Sequence, residues 1–139
     1  MHAAISNFLI EVGSLLTKSW GFSDSSGALD LEGYHARLQI RASVDAAGDP
    51  LLDADDAAIG GLVISGGTVT LTIPPEDSQA WDLSGLPLGP LQVGQSAAGV
   101  REVVQGYLAV YALELTPHEG SPVRVLQGQV AISPEVVHV

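Results

Sequence analysis

Carboxylates are the most abundant chemically capable groups in this chain, and five crowd together over residues 45 to 56: Asp45, Asp49, Asp53, Asp55 and Asp56. Hard oxygen ligands at close spacing are what a calcium ion takes. The run Asp53-Ala54-Asp55-Asp56 lacks the loop glycine and the distal bidentate glutamate of an EF-hand, so it is expected to be a solvated acidic loop and not a metal site. The histidines His2, His35, His118 and His138 lie far apart, and none has the short pairing from which zinc sites are built. Glu76 and Asp77 are sequence neighbours and do not face one another as an acid/base pair must.

Nucleophiles fare no better. Gly94-Gln95-Ser96-Ala97-Ala98-Gly99 comes nearest to a nucleophile elbow, but its glycine spacing is wrong and no convincing strand precedes it. There is no Gly-x-Gly-x-x-Gly and no Walker loop; Gly60-Gly61 and Gly66-Gly67 are expected at hairpin or bulge positions. With no cysteine, disulfides, thiolate metal sites and a cysteine nucleophile are excluded. No residue qualifies as catalytic, cofactor-binding or metal-ligating, and no cofactor is expected.

The remaining chemistry is that of contact. Arg37 and Arg41 are two of only five basic residues, and with Gln39 between them they share one side of an alternating run. They form either a solvated face with local ion pairs or a stripe that docks onto an acidic surface of a sister subunit. Sixteen acidic residues give a net charge of −11, which repels phosphate backbones and argues against nucleic acid as a partner. Hydrophobic residues reach 46% and charged ones only 15%, too apolar for a disordered chain and enough to leave surface for burial against other chains.

The elements that position these groups read as strands. Tyr34, Ala36, Leu38 and Ile40 alternate with His35, Arg37, Gln39 and Arg41 over residues 34 to 42; Val69, Leu71 and Ile73 alternate with threonines over 68 to 73. These two runs are expected to pair antiparallel. Leu62 to Ser65 precede the second, joined through a Gly66-Gly67 hairpin turn. Residues 107 to 115 are apolar on both faces until Glu114, as suits the middle strand of the fold. Beyond the turn residues of 116 to 122, Val123 to Leu126 and Gln129 to Ile132 complete a C-terminal hairpin with Gly128 as a bulge or bend. Ser14 to Phe22 suit a further strand, with a helix as the alternative. A single helical turn is expected after Pro74-Pro75, with Trp81 folding back onto the core.

Two stretches break the rhythm. Residues 43 to 61 read as a solvated connection around Leu51-Leu52. Residues 83 to 106 are glycine-rich yet carry Leu83, Leu86, Leu88, Leu91 and Val93; they are expected to form an extra hairpin or to dock on a partner. The candidate interface is therefore Arg37, Arg41, Leu86, Leu88, Leu91 and Val93. In domain terms, residues 1–13 form an N-terminal arm or first strand and residues 14–139 one all-β domain with an insertion at 83–106. A chain of 139 residues is long enough to bury a sizeable core alone. The N-terminal residues lack the features of a signal peptide, and no segment approaches the roughly 20 apolar residues of a membrane span.

The order of these segments resembles that of the small immunoglobulin-like domains in tailed-bacteriophage structural proteins. The likeness is carried by Asp30 to Arg41, by Gly67 to Pro74, by Tyr111-Ala112-Leu113-Glu114-Leu115 and by the close from Val123 to Val136, and spans most of residues 20 to 137. Two departures stand out: Ala112 replaces the usual aspartate before Leu-Glu, and residues 83 to 106 are inserted between the helical turn and the next strand. The resemblance implies an immunoglobulin-like antiparallel β-sandwich with no enzymatic activity, made in the bacterial host cytoplasm and built into the virion. Tail, baseplate or fibre-adaptor positions lead, with a neck or capsid-decorating role beside them. Its partners would be other virion proteins and copies of itself, with no nucleic acid and no membrane. A carbohydrate-binding sandwich using Trp20, Trp81, Tyr34 and Tyr107 is the reading from another class.

Overall fold

The fold is that of a computed structural model, which describes residues 4–24, 27–43, 48–56 and 61–134. In chain order the elements are β1 (Ala4–Ile5), β2 (Phe8–Glu11), β3 (Leu16–Gly21), β4 (Ser23–Asp24), β5 (Gly27–Ala28), β6 (His35–Arg41), β7 (Leu52–Asp55), β8 (Leu62–Ser65), β9 (Thr68–Ile73), α1 (Pro75–Gln79), β10 (Leu88–Gln95), β11 (Arg101–Thr116) and β12 (Val123–Ser133). The protein is an all-β sandwich. His2, His138, Asp45, Gly60 and the segment after Pro134 lie outside the described residues.

Alternation becomes burial wherever the sequence shows it. Ala36, Leu38 and Ile40 of β6 are buried, as are Val69, Leu71 and Ile73 of β9. The two runs do not pair with each other, contrary to the sequence expectation. β6 lies between β11 and β7 in the larger sheet, whereas β9 lies between β3 and β8 in the smaller one. Period two reports that one face is covered, and it says nothing of which strand lies alongside. Here β6 and β9 cover each other's faces across the core, with Leu38, Ile40, Leu113 and Ile132 on one side and Val69, Leu71 and Ile73 on the other. Each such side chain withdrawn from water contributes about 1.5–3 kcal/mol before conformational entropy is charged against it.

The larger sheet runs β1-β12-β11-β6-β7, antiparallel throughout except at its edge, where β1 and β2 both run parallel to β12. They are one strand interrupted at Ser6-Asn7. Residues 4 to 11 are thus an edge of the larger sheet, the first strand and not the free arm among the two alternatives for the N-terminal residues. Phe8 of β2 meets Tyr111 of β11 edge-on, with ring centroids 5.0 Å apart, and Trp20 of β3 at 5.8 Å. The Tyr111 hydroxyl donates to the Ser6 carbonyl, locking the interruption onto the centre of the sheet. The turn after β2 is tied to α1, where Gly13 N donates to Ser78 Oγ at 2.9 Å.

β11 is the middle strand, as its apolar run indicates, with β12 along one side and β6 and β10 along the other. Tyr107 is paired with both Ile132 and Leu88, which puts β10 opposite β12 and in line with β6. Residues 83 to 106 therefore supply an extra hairpin, one of the two outcomes the sequence left open. That hairpin folds back over the sheet. A Cβ at Gly106 would stand 3.0 Å from the backbone of Ile132, and Asn7 Nδ2 donates to Gln92 O at 3.1 Å.

The remaining expectations separate. The Gly66-Gly67 turn joins β8 to β9, Ser14–Phe22 contains β3, α1 follows Pro74, and Trp81 packs against the core. The stretch 43–61 is more than a solvated connection, because Leu52–Asp55 pairs with β6 as an edge strand. Gly128 is not the bulge. β12 runs unbroken through it, and the register slips between Leu113/Leu126 and Glu114/Arg124 instead, leaving Val125 as the extra residue.

Candidate interaction face

The inner face of the larger sheet is consumed by the core, so its outer face is where the sheet meets solvent. Register assembles that face in three rows across β6, β11 and β12: Arg37, Glu114 and Arg124; Gln39, Ala112 and Gln127; Arg41, Val110 and Gln129. Arginine and glutamine side chains stand on the flanking strands, and Val110, Ala112 and Glu114 on the middle strand. The result is a trough of about 470 Å³, floored by Val110 and Ala112 and closed beyond β12 by Ile5, which is 77% exposed. Two strand spacings separate its walls by roughly 9–10 Å.

One end of the outer face is covered. Ala131, paired with Leu108, is fully buried yet outside the main core, and Leu108 Cδ1 packs 3.5 Å from where a Cβ on Gly89 would stand. The folded-back hairpin thus hides the upper rows and leaves the three rows of the trough open.

The charges of the trough are held in two ways. Arg37 is bidentate to Asp53 of β7, with Nε to Oδ1 at 2.9 Å and Nη2 to Oδ2 at 2.6 Å. That hydrogen bond holds the Asp53 carboxyl below the usual carboxylate range and pushes the Arg37 guanidinium further above its own. Arg41 instead donates to Gln39 Oε1 at 3.2 Å and to the Gly48 carbonyl at 3.0 Å, and Arg124 donates to Gln127 Oε1 at 3.4 Å. Among the described residues neither Arg41 nor Arg124 forms a salt bridge. These two guanidinium groups are thus hydrogen-bonded to neutral acceptors, with Asp53 within electrostatic reach of Arg41 and Glu114 opposite Arg124 in its row.

Of the sequence-derived interface residues, Arg37 and Arg41 line the trough, Leu88 is 67% exposed on the hairpin, and Val93 is half-buried beside the hairpin bulge. Leu86 and Leu91 are corrections. Both are buried by the chain itself, Leu86 in the main core, so neither is available to a partner. Sequence reasoning missed Arg124, Gln127 and Gln129. The extra residue at Val125 shifts the phase of β12, so Arg124 shares a face with Gln127 and Gln129 although simple alternation assigns it to the other.

Of the acidic cluster, Asp53 and Asp55 lie on the edge strand β7 and not in a loop. Asp53 serves Arg37, and Asp56 accepts from Ala36 N at 3.2 Å and contacts His35 Nδ1 at 3.3 Å. No group of three or more potential metal ligands gathers among the described residues. No described helix is long and apolar enough to cross a membrane. The protein is thus a β-sandwich whose larger sheet keeps an open, arginine-bearing outer trough. No protein-family model and no curated protein matches the chain.

Proposed function

We propose that this protein is a non-enzymatic structural subunit of a tailed-bacteriophage virion, acting through protein–protein contacts in the tail, baseplate or fibre-attachment region. The observation that carries the reading is the open trough, in which Arg41 and Arg124 are held by neutral hydrogen-bond acceptors on a chain of net charge −11. Guanidinium groups held in this way suit the carboxylates of a neighbouring protein surface. Support for a virion setting comes from the segment order described above. The immunoglobulin-like assignment draws on the same order, and on a first strand running parallel to the last along one edge.

The carbohydrate reading gains nothing from the positions of its aromatics, since Trp20 is buried and Trp81, Tyr34 and Tyr107 pack against the core. The test is electron microscopy with mass spectrometry of purified particles from a phage that carries the gene. Symmetric density matching the sandwich at a tail or baseplate position is the expected result. Density at the neck or on the capsid would move the subunit within the particle, and absence of the chain from intact particles would overturn the proposal.

A further inference from the structure

We propose that the β10–β11 hairpin is a hinged lid, closed over the outer face of the larger sheet and able to lift about the glycine pair Gly89 and Gly106. The movement belongs to the single chain and is independent of the virion reading.

The ground beneath the lid continues the trough. Leu9, Ala131 and Leu108 lie opposite one another across β2, β12 and β11, in the row that follows Arg41, Val110 and Gln129. Among the described residues, Leu91 and Ala131 are the two buried apolar side chains that stand outside the main core. Ala131 belongs to the sheet. Leu91 belongs to the hairpin, opposite Val104 and on the same side of it as Gly89 and Gly106. The hairpin is therefore seated on a small apolar patch of its own, separate from the interior of the sandwich. Segments seated in this way open at a fraction of the free energy that unfolds the whole domain.

The roots of the hairpin are fixed and its bend is bare. Leu86 is buried in the core, Tyr107 packs against that core, and Leu108 N donates to Pro87 O at 2.8 Å. Just beyond these anchors Gly89 is paired with Gly106. A Cβ at Gly106 would press on the Ile132 backbone at 3.0 Å, so the close approach at the bend requires glycine there. With glycine opposite glycine, neither strand carries a side chain at the bend, as suits a hinge. The clasp at the free end is slight. It is one solvent-exposed hydrogen bond, from Asn7 Nδ2 to Gln92 O at 3.1 Å. Leu83 to Val100 carry no charged residue, and no salt bridge among the described residues reaches the hairpin. Lifting the lid bares Leu9, Ala131 and Leu108 and lengthens the apolar floor of the trough beyond Val110.

The chain has no cysteine, so one introduced thiol reports on its own position. Three variants of the full chain, Ala131→Cys, Leu91→Cys and Val130→Cys, are each first shown to be folded by circular dichroism and thermal melting. Val130 is the neighbour of Ala131 but is fully buried within the main core. Reaction with an aromatic disulfide reagent is followed under native conditions and in low urea. The Ala131→Cys and Leu91→Cys variants are expected to react at least about tenfold faster than Val130→Cys, at rates that scarcely change with urea. Val130→Cys should accelerate steeply with urea, because only global unfolding exposes it. Adding Val69→Ala, which weakens the buried face of the opposite sheet, should speed Val130→Cys and leave the two lid variants unchanged. Equal rates at the three positions, or lid variants that quicken with Val69→Ala in step with Val130→Cys, would show that the hairpin parts only when the domain unfolds and would overturn the proposal. Reaction as fast as in the unfolded chain would overturn it too, by showing that nothing covers Leu91 and Ala131.

Discussion

Replacing Tyr111 with Phe removes one hydroxyl and nothing else from the point where the N-terminal strand is fastened to the sheet. The lost interaction is the hydrogen bond to the Ser6 carbonyl. A bond of this kind is worth about 0.5–1.5 kcal/mol net, and the orphaned carbonyl adds to the cost only insofar as it is kept from water. Ser6 is half-buried, so solvent can replace part of what the hydroxyl supplied, and the ring contacts with Phe8 and Trp20 are unchanged. The expected loss is therefore about 1 kcal/mol. At roughly 2.1 cal/mol/K of unfolding entropy per residue, that lowers the melting temperature of a domain this size by about 3–4 °C.

The same substitution has an alkaline signature. Burial, partly offset by the Ser6 side chain, pushes the Tyr111 phenol up from 10.0 to about 12. The folded chain thus holds this proton more tightly than the unfolded chain does. The associated stability is complete below pH 10 and is lost as the pH climbs toward 12. Phenylalanine has no proton to lose. The melting-temperature gap between wild type and Tyr111→Phe, followed by calorimetry, should therefore narrow across that window. Hydrogen exchange should quicken first in residues 4 to 11. A gap that stays constant through the alkaline range, or a loss several times larger than estimated, would refute the assignment of the hydroxyl as a local fastener.

Other substitutions probe the remaining layers of the fold. Leu113→Ala, at a fully buried position of the middle strand, should cost about 2–5 kcal/mol in denaturant unfolding. Gly128→Ala places a methyl against the Ser6 carbonyl and 2.9 Å from Asn7 Oδ1; about 1–3 kcal/mol should be lost, with proteolytic cleavage appearing within β1 and β2. Asp53→Asn should cost no more than about 1 kcal/mol at neutral pH, because its ion pair with Arg37 is solvent-exposed. Since Arg37 holds the Asp53 pKa below 3.8, the pair's contribution is present above that pH and lost as the pH falls below it. The stability difference between wild type and this variant should accordingly vanish in acid.

Local chemistry in the sequence determined much of this protein. Alternation at 34–42 and 68–73 specified which side chains are buried, Gly66-Gly67 specified a hairpin turn, and the two-faced apolar run at 107–115 marked the middle strand. Each of these signals depends on neighbours a few residues away, so it survives in a single sequence. The partition of β6 and β9 into opposite sheets is decided by contacts between distant segments, which period two cannot encode. The trough belongs to the same category. Arg37 could be found on its own strand, but Arg124 joins it only because Val125 shifts the phase of β12, and the rows exist only once β6, β11 and β12 lie in register. Leu86 and Leu91 show the converse, since a glycine-rich insertion offered them as candidate interface residues, whereas Leu86 is buried in the main core and Leu91 against the rest of the chain. Burial patterns are written along the chain, whereas a binding surface is written across it, and only the tertiary structure brings its rows together.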